Sequence, residues 1–211
     1  MRMQENMPSQ MQELICINVD KVYDWIVKDL SFEISPTNPV SFPGVAVDTD
    51  LNGATVKCKV EPTAFEPILI KHRENRTFTV EGKSVCLQQL TIQKNFTLTI
   101  YVKLPSGIVH TSAEIPVSRC EQVVMCAPKG TDVSVTYTNL DCFVCSTGTL
   151  TAGADSITFN NLSISVTVCQ SIQSTFPVTV EFLADFCEPR AELPFACPPA
   201  SRPNQCSVIY P

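Results

Sequence analysis

The stretch FTLTIYVKL, residues 96–104, alternates apolar and polar side chains at every position. Because successive side chains of a β-strand point to opposite faces, this pattern predicts a strand with one apolar and one polar face. Its threonine, valine, isoleucine and aromatic residues are also those enriched in strands. A helix would repeat its apolar residues every three or four positions, and no window of about 12 residues keeps such a stripe.

The same two-residue period recurs along the chain after Leu14, and prolines and glycines separate the segments that carry it. Short alternating strands broken by turn residues are typical of antiparallel sheets that pack face to face. The sequence therefore predicts an all-β protein, an antiparallel β-sandwich resembling a jelly roll. Large aromatic side chains are expected in its core, namely Trp25, Phe96, Phe176 and Phe182.

Composition divides the chain into four segments. Residues 1–13 hold four of the five methionines and no β-branched residue, which predicts a flexible N-terminal arm. An 11-residue match between residues 92–102 and 172–182 indicates two related β-units, with chance convergence of strand sequences as the alternative. We place these units at residues 14–118 and 119–190. The proline- and cysteine-rich tail, residues 191–211, is unsuited to a central strand and is expected to lie over the surface.

The charge balance argues against several partners. The chain has 15 Lys and Arg residues against 21 Asp and Glu residues, a net charge of -6, whereas nucleic-acid-binding domains are typically basic. We therefore predict no nucleic-acid partner. No apolar stretch approaches the roughly 18 residues of a membrane span, so no membrane partner is predicted. The first residues also lack the apolar region of a secretory signal peptide.

Eleven cysteines are the most unusual feature of the composition. An odd count leaves at least one thiol unpaired, bound to metal or bonded to another chain. Strand alternation predicts that four of them face away from the apolar layer: Cys16, Cys86, Cys169 and Cys187. Cys58 shares its strand face with apolar neighbours and is expected to be a small core residue that stays reduced.

Four cysteines lie close enough in sequence to suggest a metal site: Cys120, Cys126, Cys142 and Cys145. Structural zinc sites usually pair short spacings or combine cysteine with histidine. Here the first pair is six residues apart, and both histidines of the chain lie far upstream. We keep this metal site as the alternative and predict no cofactor.

Covalent fastening explains the thiols better than catalysis does. A cysteine nucleophile needs a base, usually histidine, and neither histidine lies in a recognisable catalytic motif. No catalytic residue and no enzymatic activity are therefore predicted. The candidates for disulfides between subunits are Cys16, Cys197 and Cys206. The candidates for disulfides within the chain are Cys86, Cys120, Cys126, Cys142, Cys145, Cys169 and Cys187.

Three parts of the sequence resemble a family of cysteine-bearing spore-surface proteins from endospore-forming Firmicutes. These parts are residues 13–17 with 21–27, residues 142–145, and residues 168–173 with 185–190. More loosely, the chain is similar to the disulfide-linked β-sandwich subunits of endospore appendages, which carry a flexible N-terminal connector. The resemblance implies a protein made in the mother cell without a signal peptide and left outside, on the spore surface, when that cell lyses.

Two functions from different classes follow. The first is a self-assembling structural protein of the spore surface, a coat, exosporium or appendage subunit stabilised by disulfide cross-links. It would assemble with copies of itself into a filament or sheet, and other spore-surface proteins are further candidate partners. Its arm would add as a strand to the open sheet edge of a neighbouring subunit. The second is a binding module that uses either the cysteine-rich metal site or one face of the sandwich to hold a partner.

Overall fold

A computed structural model describes residues 13–184, which form 11 β-strands in antiparallel sheets and no helix. The predicted all-β sandwich is confirmed. Almost all of the predicted arm, the whole tail, and Cys187, Cys197 and Cys206 lie outside the described residues. No helix that could cross a membrane occurs in the described range. The strands are β1 (Glu13–Ile34), β2 (Val40–Ser41), β3 (Thr55–Pro62), β4 (Ile68–Val80), β5 (Lys83–Lys103), β6 (Val109–Thr111), β7 (Ile115–Met125), β8 (Asp132–Ser146), β9 (Leu150–Gly153), β10 (Ser156–Phe159) and β11 (Ser163–Ala184).

The largest sheet is built around β5, the strand that contains most of the alternating stretch FTLTIYVKL. Its even-numbered residues from 88 to 102 are all buried, and the odd-numbered residues between them are half-buried. β3 and β4 pair with one edge of β5, while β6 and β7 pair with the other. Phe96, for example, lies between Pro62 of β3 and Val117 of β7. The middle of β5 is therefore central in its sheet, which gives it a regular pattern of burial.

The opposing sheet has three strands in the order β1, β11, β8. β11 is central, and its even-numbered residues from 164 to 174 are buried. Its pairing with β8 extends from Ser163 to Thr175, with irregularities at both Ser163/Ile164 and Cys169/Gln170. A small third sheet, in the order β2, β10, β9, adds Val40 and other buried apolar residues to the same interior.

The interior contains two apolar clusters rather than one. The larger, which we call the main core, includes residues of β5 from Phe96 onward and residues of β11 up to Val168. The smaller, which we call the minor core, includes Ile92 of β5 and Ile172 of β11. On each strand a single inward-facing position separates the two clusters: Lys94 on β5 and Gln170 on β11.

The prediction that four aromatic side chains are buried is correct for one residue and wrong for three. Phe96 is fully buried, whereas Trp25, Phe176 and Phe182 are 61%, 42% and 43% exposed. Trp25 lies on the face of β1 opposite to Ile26, which packs against the minor core. Phe176 follows Thr175, the last residue of β11 that pairs with β8, so it lies where that side of its sheet has ended.

The expected boundary near residue 118 falls inside β7, which pairs continuously with β5 from Ile115 to Met125. By their contacts, Asp20–Pro177 form one compact unit, and the described residues 13–19 and 178–184 belong to a second. Within that second unit, Thr179 Oγ1 donates a hydrogen bond to Asn18 Oδ1 at 2.7 Å. The polar and cysteine sites described below, apart from Cys16, belong to Asp20–Pro177.

Candidate functional site

One disulfide forms among the described cysteines, between Cys58 of β3 and Cys142 of β8. Their Cα atoms are 6.0 Å apart, and 84 positions separate them in sequence. Because β3 and β8 belong to opposing sheets, the bond links the two layers of the sandwich. Both side chains are half-buried against the main core. The expectation that Cys58 stays reduced is wrong, because the alternation that turns it inward also turns it towards Cys142.

Other described cysteines form no disulfide within residues 13–184. Cys120 alternates with the buried residues of β7, and Cys169 alternates with those of β11, so both point away from the interior. This is the orientation predicted for Cys169. Four of these thiols are exposed and two are half-buried: Cys16, Cys86, Cys120 and Cys145 in the first group, Cys126 and Cys169 in the second.

Cys86 is exposed for a reason other than the one predicted. It lies on the same face of β5 as Gln88 and Leu90, which are buried, so the prediction of an outward-facing side chain is wrong. The pairing of β7 with β5 begins only at Gln88, whereas β5 continues back to Lys83 in its hairpin with β4. Cys86 therefore projects from a part of the strand that extends beyond β7.

The four cysteines of the alternative metal site do not come together. Cys142 is bonded to Cys58, and Cys145 lies on the outward face of the same strand, β8. Cys120 is on β7, in the opposing sheet. In the described part of the chain no group of three or more His, Cys, Asp or Glu side chains is arranged to hold a metal ion. The structure gives no support to this alternative.

Three apolar side chains form an exposed strip on β1, the outer strand of its sheet. Tyr23, Trp25 and Val27 are 38%, 61% and 67% exposed, and as alternate residues they share one face. Trp25 Nε1 donates a hydrogen bond to Ser171 Oγ of β11 at 2.7 Å, and Lys21 Nζ lies 5.0 Å from the centroid of the Tyr23 ring. We call Tyr23, Trp25 and Val27 the β1 strip. Apolar groups at a sheet edge favour association with another protein surface.

A layer of polar side chains crosses the interior between the main and minor cores. Lys94 and Gln170 are fully buried, and Glu121 of β7 is 8% exposed. Lys94 Nζ donates hydrogen bonds to Glu121 Oε2 and to Gln170 Oε1, and Gln170 Nε2 donates to Glu121 Oε2 at 3.0 Å. Lys28 of β1 lies at the edge of this group, with its Nζ 2.5 Å from Glu121 Oε1. We call these four residues the polar layer, since they connect the two sheets.

Burial and charge act against each other in the polar layer. Burial lowers the pKa of Lys94, and its contact with Glu121 offsets part of that shift. Burial alone would raise the pKa of Glu121, but hydrogen bonds from Lys28, Lys94 and Gln170 outweigh burial and hold that pKa below its ordinary value. Burial, helped by the negative charge of Glu121, raises the pKa of Tyr137 to about 12. The polar layer thus combines a stabilised carboxylate with a lysine whose charge is disfavoured.

Stability should fall in acid because of Glu121. Since its pKa is lower in the folded chain than in the unfolded chain, its contribution is fully present above the ordinary value of 4.5 and is lost as the pH falls through the folded pKa. We expect Glu121→Gln to remove this part of the pH dependence of the unfolding free energy, measured by urea denaturation across the acid range. Glu61→Gln is the matched control, because Glu61 pairs with Lys59 at the exposed surface. Equal acid sensitivity of wild type and Glu121→Gln would contradict the prediction.

The polar layer was not predicted from the sequence, although strand alternation carries its signal. Lys94 stands two residues before Phe96 on the buried face of β5, and Gln170 stands two residues after Val168 on the buried face of β11. A polar residue in an otherwise apolar row must find a buried partner, because an unpaired buried polar group is costly. Extending each apolar row by one step would have revealed both residues.

An open groove of about 590 Å³ runs beside β8. Pro62, Pro67 and Ile68 form one wall, and residues 135–140 of β8 form the other. Its lining is mostly apolar and includes no carboxylate, imidazole or thiol.

These features define a class of protein: an all-β sandwich whose two sheets are linked by a disulfide and a buried polar layer, with further thiols at its surface. No family model matches the chain, and neither a curated protein nor a solved structure is significantly similar to it.

Proposed function

We propose that this protein is a structural subunit that assembles with copies of itself on the bacterial spore surface, and that disulfides between subunits stabilise the assembly. The observation that carries this proposal is the exposure of four thiols that form no disulfide in the described fold: Cys16, Cys86, Cys120 and Cys145. Exposed thiols are accessible to a second chain, whereas Cys58 and Cys142 already bond each other inside. The spore location is supported by the family resemblance of the sequence.

Association of subunits would precede their cross-linking. The β1 strip presents apolar side chains on an outer strand, which is a site for contact with a neighbouring sheet. The predicted arm, residues 1–13, would supply a strand to that neighbour, and Cys16 lies three residues after its end. Contacts between different surfaces of identical subunits propagate into a filament or a layer when they do not close into a ring. Cys197 and Cys206 remain further candidates for bonds between subunits.

Cross-links between subunits serve a durable layer better than cross-links within a subunit. A disulfide that closes a loop of about 15 residues adds only ~3 kcal/mol to the stability of one chain. A bond between subunits prevents their dissociation for as long as it stays oxidised. Breaking such a layer therefore requires reduction as well as unfolding.

Oxidation of the purified protein should produce a ladder of multimers on a non-reducing denaturing gel. Reductant should collapse the ladder to a single band at 23.2 kDa. Cys16→Ser should weaken the ladder more than Cys126→Ser, because Cys16 is exposed and Cys126 is half-buried. Electron microscopy of the oxidised sample would distinguish a filament from a layer. A folded protein that remains monomeric after oxidation at high concentration would rule out the proposed function.

A further inference from the structure

The polar layer places an amine, a carboxamide and a carboxylate in mutual contact inside the protein. Lys94 Nζ contacts the side-chain oxygen of Gln170, so the amine lies beside the carboxamide group. Glu121 Oε2 accepts hydrogen bonds from both Lys94 Nζ and Gln170 Nε2. Glu121 Oε2 therefore contacts both Lys94 Nζ and Gln170 Nε2. If Lys94 Nζ replaced Gln170 Nε2 on the carbonyl carbon of Gln170, this oxygen could carry a proton from the first nitrogen to the second.

We propose that Lys94 and Gln170 become joined by an isopeptide bond, formed within the folded chain with Glu121 as the general acid–base group. The new bond links Lys94 Nζ to the side-chain carbonyl carbon of Gln170, Cδ. It would be a covalent modification of the interior, and it does not depend on the assembly proposed above.

The reaction balances without an oxidant or a co-reactant. Glu121 Oε2 accepts a proton from the Lys94 ammonium group, and the resulting amine attacks Gln170 Cδ. Glu121 returns the proton to Gln170 Nε2 as the bond between Cδ and Nε2 breaks. The departing ammonia takes the remaining excess proton of the former amine and leaves as ammonium. The products are a secondary amide and one ammonium ion, and Glu121 is again a carboxylate.

Three features of the polar layer favour this reaction. The pKa of Lys94 is lowered by burial, which makes the nucleophilic neutral amine easier to reach. Lys28 binds Glu121 Oε1, which leaves Oε2 directed at the two reacting nitrogens. Full burial of Lys94 and Gln170 holds the groups together and excludes bulk water that would compete as a nucleophile.

The bond would give the sandwich a second covalent link between its sheets. Lys94 lies on β5 and Gln170 on β11, 76 positions later in the chain. The disulfide between Cys58 and Cys142 joins the same two sheets but is lost under reducing conditions. An amide would keep the layers joined after reduction.

Mass spectrometry of the full-length protein tests the proposal directly. After reduction and denaturation, the folded and purified chain should be lighter than its sequence by one molecule of ammonia. A tryptic digest should contain a branched peptide that joins the segment with Lys94 to the segment with Gln170, and fragmentation should place the link at those two residues. Unmodified mass, with the two segments recovered as separate peptides, would overturn the proposal. Loss of one water with Lys94 joined to Glu121 would equally overturn it, because Gln170 would then not be the acceptor.

Variants separate the roles of the three residues. Glu121→Gln keeps the size of the side chain and removes the acid–base group, so it should yield the unmodified mass. Lys94→Met should do the same by removing the nucleophile. Glu61→Gln, which disrupts the exposed pair with Lys59, should still lose one ammonia. A folded Glu121→Gln protein that contains the branched peptide would overturn the role of Glu121. If that variant fails to fold, judged by circular dichroism, the peptide map of the wild type decides whether the bond exists.

Discussion

The double variant Cys58→Ala/Cys142→Ala should lose about 4.5 kcal/mol of unfolding free energy, the chain-entropy estimate for a disulfide whose cysteines are 84 positions apart. The bond closes a long loop, because its two cysteines are far apart in sequence, and it therefore removes much of the conformational freedom of the unfolded chain. Alanine suits these positions because both side chains are only half-buried and pack against apolar neighbours. Its small size leaves the contacts of the main core largely unchanged.

Urea denaturation under oxidising conditions would measure this effect. Cys120→Ala is the matched control: its thiol is exposed and forms no disulfide in residues 13–184, so its removal should change stability by less than about 0.5 kcal/mol. Reductant should lower the stability of the wild type and leave the double variant unchanged. A double variant as stable as the oxidised wild type would show that the bond contributes nothing to the fold.

The strands were predictable because their burial is regular. β5 has strands paired along both of its edges, and one of its faces packs against the opposing sheet. Its side chains therefore alternate strictly between a buried and a less buried environment, and the sequence records that alternation. β11 is predictable up to Ser174 for the same reason.

The exposed aromatic residues show where such a pattern fails. Phe96 and Phe176 occupy equivalent positions in the matching segments of β5 and β11, yet only Phe96 is buried. Phe96 has β3 and β7 on its two sides, whereas the pairing with β8 ends just before Phe176. The sequence of a strand indicates its two faces, but neighbouring strands determine where the covered part ends.

The candidate sites were predictable only in part, for a related reason. Strand alternation correctly placed Cys58 on an inward face and Cys169 on an outward face. It could not pair Cys58 with Cys142, because that contact depends on how two distant strands pack across the interior. The same limit applies to Glu121, whose partners Lys94 and Gln170 come from two other strands.

Phe96→Ala should lower stability and leave assembly unchanged, whereas Trp25→Ala should lower assembly with little effect on stability. Phe96 is fully buried, and its ring lies 6.0 Å from that of Phe32 and 5.6 Å from that of Tyr137. Its truncation leaves a cavity and removes these aromatic contacts, so we expect a loss of about 3–5 kcal/mol. Trp25 is 61% exposed, so its truncation should cost less than about 1 kcal/mol, including the hydrogen bond to Ser171.

Assembly should depend on Trp25 more than on Phe96, because Trp25 is the largest side chain of the β1 strip. Under conditions in which both variants remain folded, Trp25→Ala should form fewer oxidised multimers than wild type, whereas Phe96→Ala should form as many. Urea denaturation and non-reducing gels run on the same preparations measure the two effects. A large loss of stability in Trp25→Ala would mean that its side chain supports the fold. A wild-type ladder in Trp25→Ala would exclude the β1 strip from the contact between subunits, because removal of its largest apolar group would then have left association unchanged.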